Sequence, residues 1–406
     1  MKVSLVGCPF RTTYGQYYES LVDALKRTGC QTQWVGSNCG CTDPRELARQ
    51  FQTTDLQYFE LPNDVGPYSI ICYSTETLRR VIKAPFRNAS LNYRVSRYMS
   101  MAGDAEVIHL QQNLNAFGSS VAFRLLHRHT NAARVITVHE LDPEQSAHPE
   151  LNETYNLADA IIVHDSLMKE KLVSQGVKKE LINVVCMGTD IGEFEENPAR
   201  DGIVFYGAHN FNEGKGITTL LSAYKHLKEN GTPLPRLRIH GHFGPTPPAY
   251  LTKVGEMGLE HDVEWLGDLS NEEIVALYRR SQVCVLPYVG SFAGLPVGFA
   301  AANRLPIIAT KRAGIPDHIG DLGIWIEPGN PMELAETLKN VLGDNEMRMD
   351  RGRQLRACAE QNLGWDVIAR NTMTVYRTAK ERAAVRVAKE TQVASGAHPD
   401  RVALKG

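Results

Sequence analysis

No apolar run in the 406 residues approaches the roughly 20 that a membrane-spanning helix needs. The charges nearly cancel: 44 Lys and Arg stand against 46 Asp and Glu, and a net of −2 gives no overall attraction for nucleic acid. A membrane-spanning protein and a DNA-coating protein are therefore not expected. Cys-x-x-Cys is missing too: the 8 cysteines fall at 8, 30, 39, 41, 72, 186, 284 and 358, and only Cys39 and Cys41 are close. That scatter supports neither a disulfide framework nor a zinc pair, so the cysteines read as small buried apolar residues. The opening MKVSLVGCPFRTTYG lacks the apolar region of a secretory signal and reads as a strand entering a loop, so the expected location is cytoplasmic. Dehydrogenase and hydrolase signatures are also lacking. There is no G-x-G-x-x-G, and Gly-Ser-Phe-Ala-Gly at 290–294 is not the G-x-S-x-G elbow.

What is present is alternation. Met1 to Gly7 is a buried-looking strand, followed by Gly15 in a loop and a helical pattern on Tyr18, Leu21, Val22 and Leu25. Strand-like runs recur at 106–111, 134–140, 160–165 and 182–187, whereas 37–104 does not resolve into elements. A second cycle begins at Asp201, with strands at 202–207, 236–241, 263–267, 282–288, 306–310 and 323–328. Helical patterns lie between them at 216–230, 248–258, 271–280, 295–303 and 331–342. The expected fold class is α/β, with two doubly wound, Rossmann-like domains whose loops at the carboxyl ends of the strands face a ligand cleft. The expected division is an N-terminal domain over 1–195, a second domain over 196–364, a long helix over 365–390 that packs back on the first domain, and a tail over 391–406.

Three loops of the second cycle carry phosphate chemistry. The first runs from Gly207 to Gly214-Lys215-Gly216 at the start of an amphipathic helix. A lysine beside the N–H groups of a helix N-terminus is a natural diphosphate grip, although the loop is not the Walker pattern. The second holds Gly294-Leu295-Pro296-Val297, with proline suited to the first helical turn. The third is KRAGIPD at 311–317, with Lys311 and Arg312 just past a strand.

In this order, the lysine loop, Gly-Leu-Pro and its helix, A-A-N-R-L-P-I-I-A-T and A-G-I-P closely resemble the C-terminal domain of glycosyltransferase family 4. These are retaining enzymes of the GT-B fold. Gly15, Thr137-Val138-His139, Leu157-Ala158-Asp159-Ala160, Gly188-Thr189-Asp190 and Gly364-Trp365 are similar to family features elsewhere in the chain. The resemblance implies a hexosyltransferase-like, metal-independent enzyme with no cofactor, whose donor substrate is a nucleotide-diphosphate sugar. It implies donor contacts at Gly15, Gly207, Lys215, Gly216, Ser291, Gly294, Leu295, Val297 and Phe299, with Lys215 and His139 in the catalytic role and Gln111 toward the acceptor; Arg94 and Arg97 are expected toward the acceptor from their place in a basic segment.

The departures are specific. The family's E-x7-E carboxylates, for the donor sugar and the ribose, align with Ser291 and Phe299. Its phosphate-binding arginine aligns with Ala208, and its His-x-His appears as His109-Leu110-Gln111. A carboxylate bond to a hydroxyl contributes about 1.5–3 kcal/mol, against about 1 kcal/mol for a neutral partner. The mechanism read for the family lets the leaving diphosphate accept the acceptor's proton, so the missing carboxylates do not by themselves abolish it. The alternative expectations are a non-catalytic GT-B partner subunit of a transferase and another GT-B nucleotide-sugar enzyme. Residues 77–103 carry Arg79, Arg80, Lys83, Arg87, Arg94 and Arg97 without an acid, a patch suited to a peripheral contact with an anionic membrane surface or an anionic acceptor. The His127/His129 and His240/His242 pairs lack obvious further ligands, so no metal is expected.

Overall fold

The computed structural model describes residues 1–6, 14–37, 56–59, 99–100, 103–111, 123, 126–128, 131–139, 149–194, 200–207, 213–241, 250–267, 269–290, 294–312 and 314–394. The chain divides into two compact units. Unit 1 holds Met1–Val163, Lys169–Val185 and Ala369–Gly406, and unit 2 holds His164–Met168 and Cys186–Ile368. The main passage between them, at Val185–Cys186, comes earlier than the division expected near 195.

Unit 1 is a parallel sheet of β1 (Lys2–Val6), β2 (Gln31–Ser37), β3 (Leu56–Phe59), β4 (Val107–Leu110), β5 (Ala133–Val138), β6 (Ala160–Val163) and β7 (Ile182–Val184). Their order is β3-β2-β1-β4-β5-β6-β7, with Val3 beside Val107 and Val107 beside Ala133. Helix α1 (Tyr14–Arg27) follows β1, and α2 (Pro149–Tyr155) and α3 (Ser166–Ser174) flank β6. Every residue of β5 and β6 is buried, as a parallel sheet covered on both faces requires.

Unit 2 repeats the plan. Strands β8 (Ile203–Tyr206), β9 (Leu237–His240), β10 (Val263–Gly267), β11 (Val283–Leu286), β12 (Ile307–Thr310) and β13 (Ile324–Ile326) lie in the order β10-β9-β8-β11-β12-β13, all parallel. Helices α4 (Ile217–Glu229), α5 (Tyr250–Glu256), α6 (Asn271–Arg280), α7 (Leu295–Ala302) and α8 (Ile315–Ile319) fill the crossovers, and α9 (Pro331–Gly343) and α10 (Asn345–Asn362) follow β13. One apolar core joins the sheet to its helices, including Ile203, Leu220, Tyr278, Leu286 and Leu338. Both sheets reverse direction beside their first strand, between β1 and β4 and between β8 and β11. In doubly wound folds, ligands bind outside the carboxyl ends of the strands at that switch point.

The last helix, α11 (Trp365–Ala394), begins in unit 2 and from Ala369 onward belongs to unit 1. There it is held by polar contacts as well as by apolar burial. Arg386 pairs with the nearly buried Asp159 at 3.1 Å, Arg382 donates to the Asp159 carbonyl at 3.0 Å, and Lys380 pairs with Glu106. Trp365, Ile368, Met373, Tyr376 and Ala379 along this helix are all buried.

Candidate functional site

In unit 2 the loops after β8, β11 and β12 leave three adjacent strands. The first two are tied together: the N–H groups of Val289 and Gly290 donate to the Gly214 carbonyl at 2.8 and 3.0 Å. Gly216 precedes α4 with φ 70°, and a Cβ placed on it would stand 1.9 Å from the Pro287 carbonyl oxygen. The lysine turn therefore sits directly on the β11 loop. Its preceding residue, Lys215, is only 4% exposed, and its Nζ lies 4.3 Å from the centroid of the buried Tyr288 ring. The N-cap of α4 is Gly216, which brings no capping side chain, and a helix N-terminus beside a lysine is an edge of the kind that suits an anion. Lys253 of α5 adds a second ammonium, donating to Thr218 Oγ1 in that turn at 3.0 Å.

The other expected donor residues fall into different settings. Gly207 closes β8, and its N–H donates to the His240 carbonyl at 2.9 Å. Gly294 precedes α7 with φ 147° and accepts from the N–H groups of Val297 and Gly298. Val297 has its side chain fully buried in the core, and its N–H donates to the Gly294 carbonyl. Leu295 is half-buried. Phe299 is also half-buried and packs on the core, its ring edge-to-face with Tyr278 at 5.7 Å. Phe299 thus ends a run of aromatic rings, since Tyr278 in turn meets His240, and His240 meets Tyr206. Ser291, Ala208, Arg94 and Arg97 lie outside the described residues, as do His129, His242 and nearly all of the basic segment 77–103.

The third loop brings two acids together. Asp317, in the first turn of α8, accepts from the N–H and hydroxyl of Ser166 at 3.2 and 2.9 Å, while Asp165 accepts from the Met168 N–H at 2.7 Å. Burial, with Asp317 nearby, pushes the Asp165 carboxyl up. His318 bridges the Gly314 carbonyl through Nδ1 at 3.0 Å and the Met187 N–H through Nε2 at 3.4 Å. Those partners require the neutral Nδ1–H tautomer, and burial holds its pKa down.

In unit 1, the ends of β4 and β5 carry a compact polar network. His109 is fully buried, with Nδ1 2.6 Å from the Tyr376 hydroxyl and Nε2 2.7 Å from Thr137 Oγ1; burial lowers its pKa to about 3. Gln111 is also buried; its amide lies beside the His109 ring, and its Oε1 is 3.0 Å from His139 Nε2. Since the oxygen can only accept, His139 presents Nε2–H to it. Tyr17 meets the His139 ring edge-on at 5.1 Å. Gln111, expected toward the acceptor, is thus a buried residue that orients His139. Gly15 lies within the first turn of α1, not in the loop before it as the sequence suggested. Tyr288 and Lys253 in unit 2, and Tyr17 and Tyr376 in unit 1, were not anticipated in these settings.

Two Rossmann-like units, each with its polar residues at the switch point, define the GT-B class of α/β protein. Residues 15–193 match the family model described as Glycosyltransferase Family 4, and residues 200–344 match the one described as Glycosyl transferases group 1. The chain belongs to this glycosyltransferase family. It is 29% identical over 172 residues to a D-inositol 3-phosphate glycosyltransferase from Corynebacterium efficiens, covering 41% of this chain and 40% of that one. The chain spans between 34% and 62% of the length of the curated relatives it matches. Among solved structures, a sucrose-phosphate synthase from Thermosynechococcus elongatus aligns with a TM-score of 0.70 and 19% identity, covering 93% of this chain and 98% of that one. Anabaena HepE in complex with UDP and glucose aligns with a TM-score of 0.69 and 16% identity, covering 93% and 100%. At those identities the likeness is one of fold. Among the described residues, no helix is long and apolar enough to cross a membrane, and no group of three His, Cys, Asp or Glu is placed to hold a metal ion.

Proposed function

We propose that the protein is a retaining glycosyltransferase that moves a sugar from a nucleotide-diphosphate donor to an acceptor, without a metal ion. Unit 2 binds the donor's diphosphate and unit 1 the acceptor. The observation that carries this reading is the setting of Lys215: a nearly buried ammonium beside Gly216, the N-cap of α4, at the switch point of the sheet. Negative charge builds on the diphosphate as the glycosidic bond breaks, and a cation with helix N–H groups placed there stabilises it as it forms. The family membership supports the reaction class, and the fold neighbour that holds UDP and glucose supports the donor class.

Lys215→Ala should weaken binding of the preferred nucleoside diphosphate by about 10- to 100-fold, the range expected for a charge-assisted contact, and leave binding of its nucleoside unchanged. Calorimetry with UDP, GDP, ADP and dTDP and their nucleosides reads both; equal loss of the two, or no binding by the wild type, would sink the assignment. Transfer is tested with the matching nucleotide sugars and a panel of acceptors that includes polyol phosphates, in view of the relative named above. The anomeric configuration of the product decides between retention and inversion.

In unit 1, His139 would position the transferred sugar, with Gln111 holding its Nε2–H. His139→Ala should lower turnover about tenfold, the worth of one hydrogen bond, without altering diphosphate affinity. A fall in diphosphate affinity instead would remove His139 from that role.

A second reading rests on Phe299. An aromatic ring packed on Tyr278 stands where the family has a carboxylate, which also suits a non-catalytic nucleotide-binding partner of an active transferase. Turnover by the purified chain excludes it.

A further inference from the structure

Tyr288 is held from three directions. Its ring is fully buried, its hydroxyl donates to the Tyr206 carbonyl at 3.2 Å, and its own carbonyl accepts from Thr310 Oγ1 at 2.6 Å. Its chain neighbours are fixed as well, since Pro287 lies against Gly216, and Val289 and Gly290 both donate to Gly214. The ring is therefore a rigid surface attached to β8, β11 and β12. It presents that surface to one partner of the proposed chemistry, Lys215 Nζ, 4.3 Å from the centroid. Ammonium groups within about 6 Å of a ring centroid are attracted by the negative face of the π system, and the attraction is largest where water is excluded. A lysine side chain has four rotatable bonds and loses much conformational freedom when its tip is held. A ring that holds the tip before any ligand arrives removes that loss from the binding step.

We propose that Tyr288 is the positioning residue for Lys215: its ring face holds the ammonium at the N-terminal edge of α4, so that affinity for a nucleoside diphosphate depends on an aromatic face at position 288 more than on the hydroxyl. The inference rests on the reading of Lys215 as the diphosphate contact and adds the element that aims it. It also accounts for a tyrosine that the sequence left without a role. Tyr288 belongs to the core by burial, but its ring is the floor under the one lysine of the loop.

The test uses the full chain and the tightest binder among UDP, GDP, ADP and dTDP, with the corresponding nucleoside as a reference ligand. Tyr288→Phe should bind the diphosphate within about threefold of wild type, since the face remains. Tyr288→Leu should lose about tenfold or more of diphosphate affinity and keep its nucleoside affinity. In a Lys215→Ala background, the same leucine substitution should cost little further, because the partner it positions is gone. Fluorinated phenylalanines at position 288 guard against a folding artefact, because they nearly preserve the ring's shape while draining charge from its face; affinity should fall stepwise from phenylalanine to pentafluorophenylalanine. Equal loss of nucleoside and diphosphate affinity in Tyr288→Leu, full additivity with Lys215→Ala, or a flat fluorination series would overturn the proposal. If the wild type binds a diphosphate and Lys215→Ala abolishes the preference for it while the fluorination series is flat, the positioning role alone fails. If the wild type binds none of the four diphosphates, the site assignment itself fails.

Discussion

Gly216→Ala is expected to lower the stability of unit 2 by about 3–5 kcal/mol, in the range reserved for a small set of severe mechanisms. Two costs add. The residue sits at φ 70°, where an L side chain carries about 1–2 kcal/mol of strain. The added methyl would also stand 1.9 Å from the Pro287 oxygen and 2.8 Å from its carbon, both backbone atoms that cannot rotate aside. To clear it, either the start of α4 or the 287–290 segment must move, and the two hydrogen bonds to the Gly214 carbonyl resist both shifts. Any such shift also carries Lys215 away from Tyr288, so nucleoside-diphosphate affinity should fall together with stability. Gly258 supplies the control: its φ is nearly the same, +68°, but a Cβ there would meet no atom within 4 Å. Gly258→Ala should cost about 1–2 kcal/mol, the conformational part alone. Urea unfolding of the two variants separates contact from strain, and near-equal losses would show that the approach of Pro287 to Gly216 does not constrain the loop.

The contrast between those two glycines shows what can be read from a linear sequence. The alternation of short β-branched runs with amphipathic segments placed β10 and α6 at the bounds observed, and most other elements of unit 2 within about two residues. Helix α6 is punctuated locally: Ser270 and Glu273 form a reciprocal capping box, a signal that needs nothing beyond four consecutive residues. Helix α10 went unread because its buried face is only Gly352, Leu355 and Ala359 among charged residues, too thin a stripe to stand out. Strands β2 and β3 were missed because neither QTQWVGS nor LQYF is an unbroken aliphatic run like the AIIV of β6; β2 joins the sheet by pairing with β1, and β3 by pairing with β2. Lys215, between β8 and α4, and His139, just past β5, were each readable as chemistry-bearing residues. Their settings were not. The ring beneath Lys215 and the glutamine that orients His139 arrive on other strands, so only the pairing of β8 with β11, and of β4 with β5, brings them into place. Nothing in the sequence around Phe299 signals that its ring closes an aromatic run, whose other members lie on β8, β9 and α6.

That run makes acid the second severe test. His240 lies between Tyr206 and Tyr278, with ring centroids at 5.0 and 5.6 Å, and its Nε2 is 3.2 Å from the Tyr278 hydroxyl. No carboxylate appears among these neighbours, and burial brings its pKa from 6.5 to about 3. The unfolded chain takes up a proton at this histidine as pH falls below about 6.5, whereas the folded unit refuses it until about pH 3. The stabilisation is therefore complete above pH 6.5 and is lost progressively toward pH 3, at about 1.4 kcal/mol per pH unit. Between pH 6.5 and 4.5 that amounts to about 2 kcal/mol for unit 2, and His318, also held down by burial, acts in the same direction. Unit 1 should respond less. His109 loses stabilisation over the same window, but Glu19, raised to about 7 by burial and by Asp23, takes up a proton in the folded state first and so gains stability as pH falls. The gain from Glu19 is only partial, because the side chain is partly in water, where screening reduces it. Trp265, Trp325 and Trp365 all lie in unit 2, so urea unfolding followed by tryptophan fluorescence weights that unit, and amide exchange resolves both. His240→Gln should flatten the acid slope of unit 2 while leaving that of unit 1 unchanged. A slope in unit 2 that is indifferent to position 240 would mean that the histidine is charged in the fold, and the buried aromatic setting that places Phe299 would then be wrong.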